Sequence, residues 1–393
     1  MKLGMVKWCL CFGILLIVNI SKASDTLVTY QLLQRIASLQ AKESDVFPKG
    51  LFPSYRLYAL NSHRQKADVN IFFTGLISFT LNNMLPYFTA YQQKIAQSII
   101  LAGNAPAVKF KNQKGRNTYN FWPTDTPQIF PNGGWLNLFN KKQALPDDLD
   151  DTVIMLLAMN AHDSVASEVH QLMQQFTNGG TKKIKNTFSS YKDIPAYSTW
   201  FGKKMPVDFD VSVLTNVLYF VQNYNLPWTN ADSASLKLIE KVIEEKKYIS
   251  DAAFVSPHYN ATSIILYHFS RLMALKNLPE LAKFKDSLIG CAKKMLLDNN
   301  NFLEKILLQT SLMRWGVQPA EIISLHNNAE LIQRIEDEDF SFFIANMASM
   351  LPNRLKRTAG AIGVGKFYYF CPAYNYVLIL ENLVEQQKHE VSL

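Results

Sequence analysis

Long apolar segments recur along this chain, each opening on polar residues. The clearest are Asp68–Met84, Asp148–His162, Val207–Leu226, His258–Ala274, Phe302–Trp315, Phe340–Met350 and Phe367–Val384. They are apolar all round a helical wheel, which predicts buried helices rather than surface ones. Between them lie Tyr91–Leu101, Ser164–Phe176, Ser233–Glu245, Pro279–Leu297 and Ala329–Glu336, with an apolar stripe and a charged face. Strand-like alternation is nearly absent, so the expected fold class is all-α. Inner helices alternating with outer ones predict a helical toroid of the (α/α)6 kind, forming a single domain over residues 24–393. A solenoid of helix pairs is the alternative, because no fixed-length sequence repeat is visible. In a toroid the inner helices run parallel and their N-terminal ends gather around one mouth. The longest irregular stretch, residues 103–146, is expected to fold over that mouth, since loops of this length in compact domains are usually functional.

Ahead of this pattern stand Lys2 and Lys7, an apolar run from Trp8 to Ile20, and Ser21-Lys22-Ala23. This matches a secretory signal peptide, residues 1–23, cleaved after Ala23. The expected location is therefore exported, periplasmic or extracellular. Membrane contact is expected only through this leader, were it left uncleaved. Cleavage removes three of the 40 basic residues, leaving 37 against 32 acidic ones, or +5. Spread in pairs such as Lys141-Lys142 and Lys246-Lys247, this charge predicts a solvated surface and no nucleic-acid partner. Cys291 and Cys371 remain in the mature chain, which excludes a disulfide framework and a zinc spacing. They form either one bridge or two unpaired core thiols.

The candidate chemistry centres on Pro146-Asp147-Asp148-Leu149-Asp150-Asp151-Thr152, four carboxylates within five residues at a helix start. One or two aspartates there are explained by capping and by the positive end of the helix dipole. Four repel one another, and repulsion at close range drives at least one pKa upward. The cluster therefore points to a carboxylic acid able to donate a proton, or to a site for a divalent cation such as Mg or Ca; otherwise no cofactor is expected.

The form D-x-D-D-T at the start of an inner helix resembles the catalytic motif of class II terpene cyclases, the squalene–hopene cyclase type within the terpene cyclase and prenyltransferase-like toroids. The resemblance implies that Asp150 donates a proton to an isoprenoid alkene, with Asp148 and Asp151 as supporting groups. Aromatic residues would then stabilise carbocations through cation–π contact. The resemblance covers one motif and the expected fold. Asp147, Asp148 and Asp151 also spell D-D-x-x-D, the magnesium motif of class I prenyl chemistry, whose partner motif is missing.

Other candidates share the expected mouth. Asp208 and Asp210 repeat the pattern of acids at a helix start and, paired with the cluster, would suit an exported carbohydrate-active hydrolase or lyase. His258 is a candidate general acid or base. Asp68, Trp122, Trp135, Tyr197, Trp200, Tyr259 and Tyr369 are candidate substrate-binding residues, for a small hydrophobic or a carbohydrate ligand. A non-catalytic binding toroid is the third alternative, with its aspartates consumed in caps and salt bridges.

Overall fold

The computed structural model describes residues 26–125, 146–180, 182–202, 205–319 and 328–392. The leader and Trp135 lie outside these residues, as does much of the expected mouth loop.

The chain is mostly helical. The helices are α1 (26–39), α2 (Phe72–Met84), α3 (Ala90–Asn104), α4 (Leu149–Ala158), α5 (Asp163–Met173), α6 (Val211–Asn223), α7 (Asn230–Glu244), α8 (Thr262–Leu275), α9 (Lys285–Asp298), α10 (Phe302–Arg314), α11 (Asn328–Asp337), α12 (Asn353–Ile362) and α13 (Pro372–Ser392). Every residue of α4 is buried, and so is α6 from Val211 to Gln222, as their unbroken apolar character requires. Two of the amphipathic segments instead start on capping boxes, Thr89 with Gln92 for α3 and Thr229 with Asp232 for α7. Helix α2 packs on α4, α4 on α6, α6 on α8, α8 on α10, α10 on α13, and α13 returns to α2. Helices α3, α7 and α9 pack outside this cycle, against α2, α6 and α10.

The all-α expectation holds in part, because one small sheet accompanies the helices. Strands β1 (Tyr55–Tyr58), β2 (Asn61–Ala67), β3 (Phe343–Asn346) and β4 (Lys366–Phe370) form an antiparallel sheet in the order β2-β1-β4-β3. Tyr55 pairs with Phe370, and Phe343 with Tyr369. Two segments expected to be helical, Phe340–Met350 and the front of Phe367–Val384, thus supply strands. An apolar run such as Phe367-Tyr368-Tyr369-Phe370 satisfies a buried helix and a strand equally, and its aromatic content favours the strand. The sheet joins the chain just before α2 to the chain just before α13. Cys291 and Cys371 are both free thiols.

Candidate functional site

The helix starts of the cycle meet at one end. Asp148 is the N-cap of α4 and its Oδ1 accepts from the Asp151 N–H at 2.8 Å. Asp210 is the N-cap of α6. Ser263 in the first turn of α8 donates to Glu304 in the first turn of α10 at 2.8 Å. Phe72 at the start of α2 lies 4.7 Å from Phe343 and 6.3 Å from Tyr259, centroid to centroid. Tyr374, one turn into α13, lies 4.9 Å from Phe342.

Asp150 is buried at the centre of this end. Its Oδ1 accepts from Asn216 Nδ2 at 2.7 Å, and its Oδ2 accepts from the Tyr259 hydroxyl. No cation touches it among the described residues. Burial, with Asp148 and Asp210 nearby, outweighs both hydrogen bonds and pushes its pKa up to about 7. Arg271 Nη2 donates to Asn216 Oδ1 at 2.5 Å, which fixes the amide so that its N–H faces Asp150. An oxygen that accepts from an amide N–H does not carry the acid proton. The Tyr259 hydroxyl, unlike the amide N–H, can accept as well as donate, so the proton of neutral Asp150 belongs on Oδ2, where Tyr259 accepts from the neutral acid and donates to the ionised one.

The neighbouring acids differ in their freedom. Burial raises the pKa of Asp151 well above its usual value, and a hydrogen bond with Asp148 keeps the shared proton on Asp151. Asp151 Oδ1 is buried without a partner among the described residues. Asp147 accepts from Asn112 and Thr118, both at 2.5 Å. Asp210 is fully engaged: Oδ1 accepts from Ser212 N–H at 2.9 Å, Val213 N–H at 3.3 Å and Ser256 Oγ at 2.6 Å, while Oδ2 accepts from His258 N–H at 2.8 Å. Asp208 accepts from Asn186 at 2.9 Å and Ser349 at 3.0 Å. Asp68 forms a buried ion pair with Arg56 at 2.5 Å and accepts from Trp122 Nε1 at 3.1 Å. Tyr369 also reaches Asp68, at 3.4 Å.

His258 donates from Nδ1 to the Ile344 carbonyl at 3.1 Å and stacks on Phe343 at 5.9 Å. Its Nε2 is buried without a partner among the described residues. Its closeness to Asp148 and Asp210 favours their ionised forms. Trp200 pairs through its backbone with Asp148, and its indole N–H is likewise buried without a partner there.

The structure thus gathers Asp148, Asp150, Asp151, Asp210, His258 and Tyr259, with Asp68, Trp122 and Tyr369 in an adjoining cluster. Phe121 links the two, packing 5.3 Å from Tyr369 and 5.4 Å from Phe343. Tyr197 belongs elsewhere, donating to Asp232 at 2.9 Å beside His170. No three His, Cys, Asp or Glu side chains among the described residues are placed to hold a metal ion. The oxygens of Asp150 face N–H and O–H donors, which favour the ionised form and oppose the rise that burial imposes.

Three participants escaped the sequence reading: Asn216, Arg271 and Lys356. Asn216 and Arg271 are buried polar residues on the apolar helices α6 and α8, and Arg271 is the one Asp, Glu, Lys or Arg residue within Thr262–Leu275, which is the signal that marks it. Lys356 is buried, donates to the Asn186 and Phe254 carbonyls at 3.2 and 3.0 Å, and lies near Asp208 and Asp210. Compared with protein-family models, curated proteins and solved structures, the chain matches none.

Proposed function

We propose that the chain is a helical toroid of the (α/α)6 type and an exported, terpene-cyclase-like enzyme. In this reading Asp150 is the general acid that protonates an isoprenoid alkene. The cycle of contacts from α2 through α4, α6, α8, α10 and α13 back to α2 supports the toroid. One observation carries the chemistry: a buried carboxyl, touched by no cation among the described residues, holds its proton up to about pH 7. A general acid works best when its pKa lies near the operating pH.

In the proposed step the Oδ2 proton passes to one alkene carbon, and the other becomes a carbocation. The electron pair left on Asp150 is met by the Asn216 N–H on Oδ1 and the Tyr259 O–H on Oδ2. Phe72, Tyr259 and Phe343 present ring faces and edges at this end, suited to cation–π stabilisation. Loss of a proton or capture of water by the cation completes the reaction. Asp148 and Asp151, sharing one proton, would hold the local charge and resupply Asp150.

A paired-carboxylate hydrolase is less well supported. Asp210 has both oxygens committed to the α6 cap and to the His258 segment, which leaves it no role as nucleophile or base.

The test is incubation of the purified chain with linear polyprenes, with and without a diphosphate, followed by mass analysis for cyclised product. Product formation that vanishes in Asp150→Asn, at a melting temperature no lower than that of the wild type, is the expected result. Absence of product from every polyprene, or equal turnover by Asp150→Asn, would overturn the proposal.

A further inference from the structure

The end of the helix cycle opposite the aspartates carries a cavity of its own. Helix α6 runs 13 residues from the Asp210 cap, about 20 Å, and closes on Gln222 and Asn223. There the α6–α7 turn and the segment after α8 bound a cavity of about 360 Å³, at the small end of ligand clefts. Trp228, in that turn, lines the cavity and is 40% exposed. Its indole N–H donates to Ser233 Oγ at 2.9 Å, and Ser233 Oγ donates to the Thr229 carbonyl at 3.1 Å, so the ring is held in one orientation with part of its surface bare. Asn225, at φ +50°, turns the chain, and its Oδ1 accepts from Lys276 Nζ at 2.5 Å, which ties the two segments together. Gln222 also lines the cavity, is 6% exposed, and its Oε1 has no hydrogen-bond partner among the described residues. A buried amide oxygen is costly to leave bare, and a ligand hydroxyl would meet it.

The lining selects the ligand. Beside Trp228 stand Gln222, Asn225, Asn277, Lys276 and Glu280. Three of these are amides, which both donate and accept, and the one cation is matched by one carboxylate. A hydrocarbon would leave the amides unpaired, and an anion would find Lys276 offset by Glu280. A saccharide answers both halves of the site. The indole face is the negative part of the ring, and sugar C–H bonds, polarised by the oxygens beside them, present a positive apolar face to it. The hydroxyls, each a donor and an acceptor, match the amides and Glu280.

We propose that this cavity is a binding site for a short neutral saccharide, with Trp228 as its stacking platform. Glu280 is the one carboxylate among the lining residues, and glycoside cleavage takes a pair, so the site binds without cutting. It shares α6 and α8 with the aspartate end but lies a helix length away, and it stands whatever chemistry Asp150 performs. For an exported enzyme, as proposed above, such a site would hold the chain at a glycan surface. The binding itself does not depend on export.

The test titrates the full chain calorimetrically with maltotriose, cellotriose and diacetylchitobiose, while amide exchange by mass spectrometry reports where each binds. Binding of at least one of them is expected, with exchange slowed over residues 221–228 and 276–280. Trp228→Ala should weaken that binding by about tenfold or more, and Trp228→Phe, which keeps a ring, by less. Asn277→Ala, at an exposed position, should also weaken it while keeping the melting temperature. Asp150→Asn should bind as the wild type does. Failure of every one of these saccharides to bind overturns the proposal, as does binding that Trp228→Ala and Asn277→Ala leave unchanged. So does binding that Asp150→Asn abolishes, because the saccharide would then sit at the aspartate end.

Discussion

Burial pushes the Asp150 carboxyl up to about 7 from an ordinary 3.8, and folding stability must then depend on pH through this one side chain. The folded value lies above the unfolded one, so the folded state binds the extra proton. The penalty for burying Asp150 is absent below about pH 4 and grows as pH rises toward 7. Above that it is constant, at about 4 kcal/mol, taking about 1.4 kcal/mol for each tenfold in proton affinity. Asp150→Asn replaces the acid by a neutral group of the same shape, whose carbonyl accepts from Asn216 and whose N–H donates to Tyr259. The expected outcome is a variant at least as stable as the wild type at pH 8, with the advantage vanishing toward pH 4. Denaturant titrations of both proteins across that range measure it. A difference that does not vary with pH would place the Asp150 proton affinity at an ordinary value, and the general-acid role would lose its basis.

At the scale of elements, the same aspartate pattern serves two ends. Asp148 and Asp210 each cap a buried helix, and Asp210 also holds the His258 backbone. Asp210→Ala removes the cap of α6 and strands the His258 N–H, at a cost of about 3 kcal/mol. Asp210→Asn keeps the cap but sets an amide N–H against the His258 N–H, and should cost about half as much; chemical denaturation separates the two. Equal losses would mean that the capping oxygen matters little. The helices were legible because each buried one is apolar over about three turns, and because capping residues open α4, α6 and α10. The helix start of α4 was legible for the same reason, and with it Asp150. The strands were not. β1, β3 and β4 run four or five residues, too short to show alternation, and their aromatic runs suit either period. Asn216 and Arg271 were hidden by context: what makes them matter is a neighbour on another helix, and only the packing of α4, α6 and α8 supplies it.

For the molecule as a whole, the decisive contact is between α13 and α2, which joins the end of the chain to its beginning. A row of stacked helix pairs needs no such contact, and each added pair touches only its neighbours. Stability in a solenoid is then close to a sum of repeat and interface terms, so losing the last repeat shortens the molecule and leaves the rest folded. A closed cycle behaves otherwise. Deleting residues 372–393 would expose the apolar faces of α2 and α10 together and leave Arg314 buried without Glu381, its ion-pair partner at 2.5 Å. Breaking a buried pair from one side costs about 3–5 kcal/mol by itself, a large part of a typical domain's stability. The sheet would suffer as well, because β4 runs straight into α13 and is paired with both β1 and β3. The truncated chain is therefore expected to show no cooperative thermal transition by circular dichroism, whereas the full chain shows one. A truncated protein that still melts cooperatively, with helical signal reduced only in proportion to the residues removed, would mean that the chain behaves as an open stack. The aspartates would then lie along a groove, and the case for one enclosed acid site at Asp150 would fall with the ring.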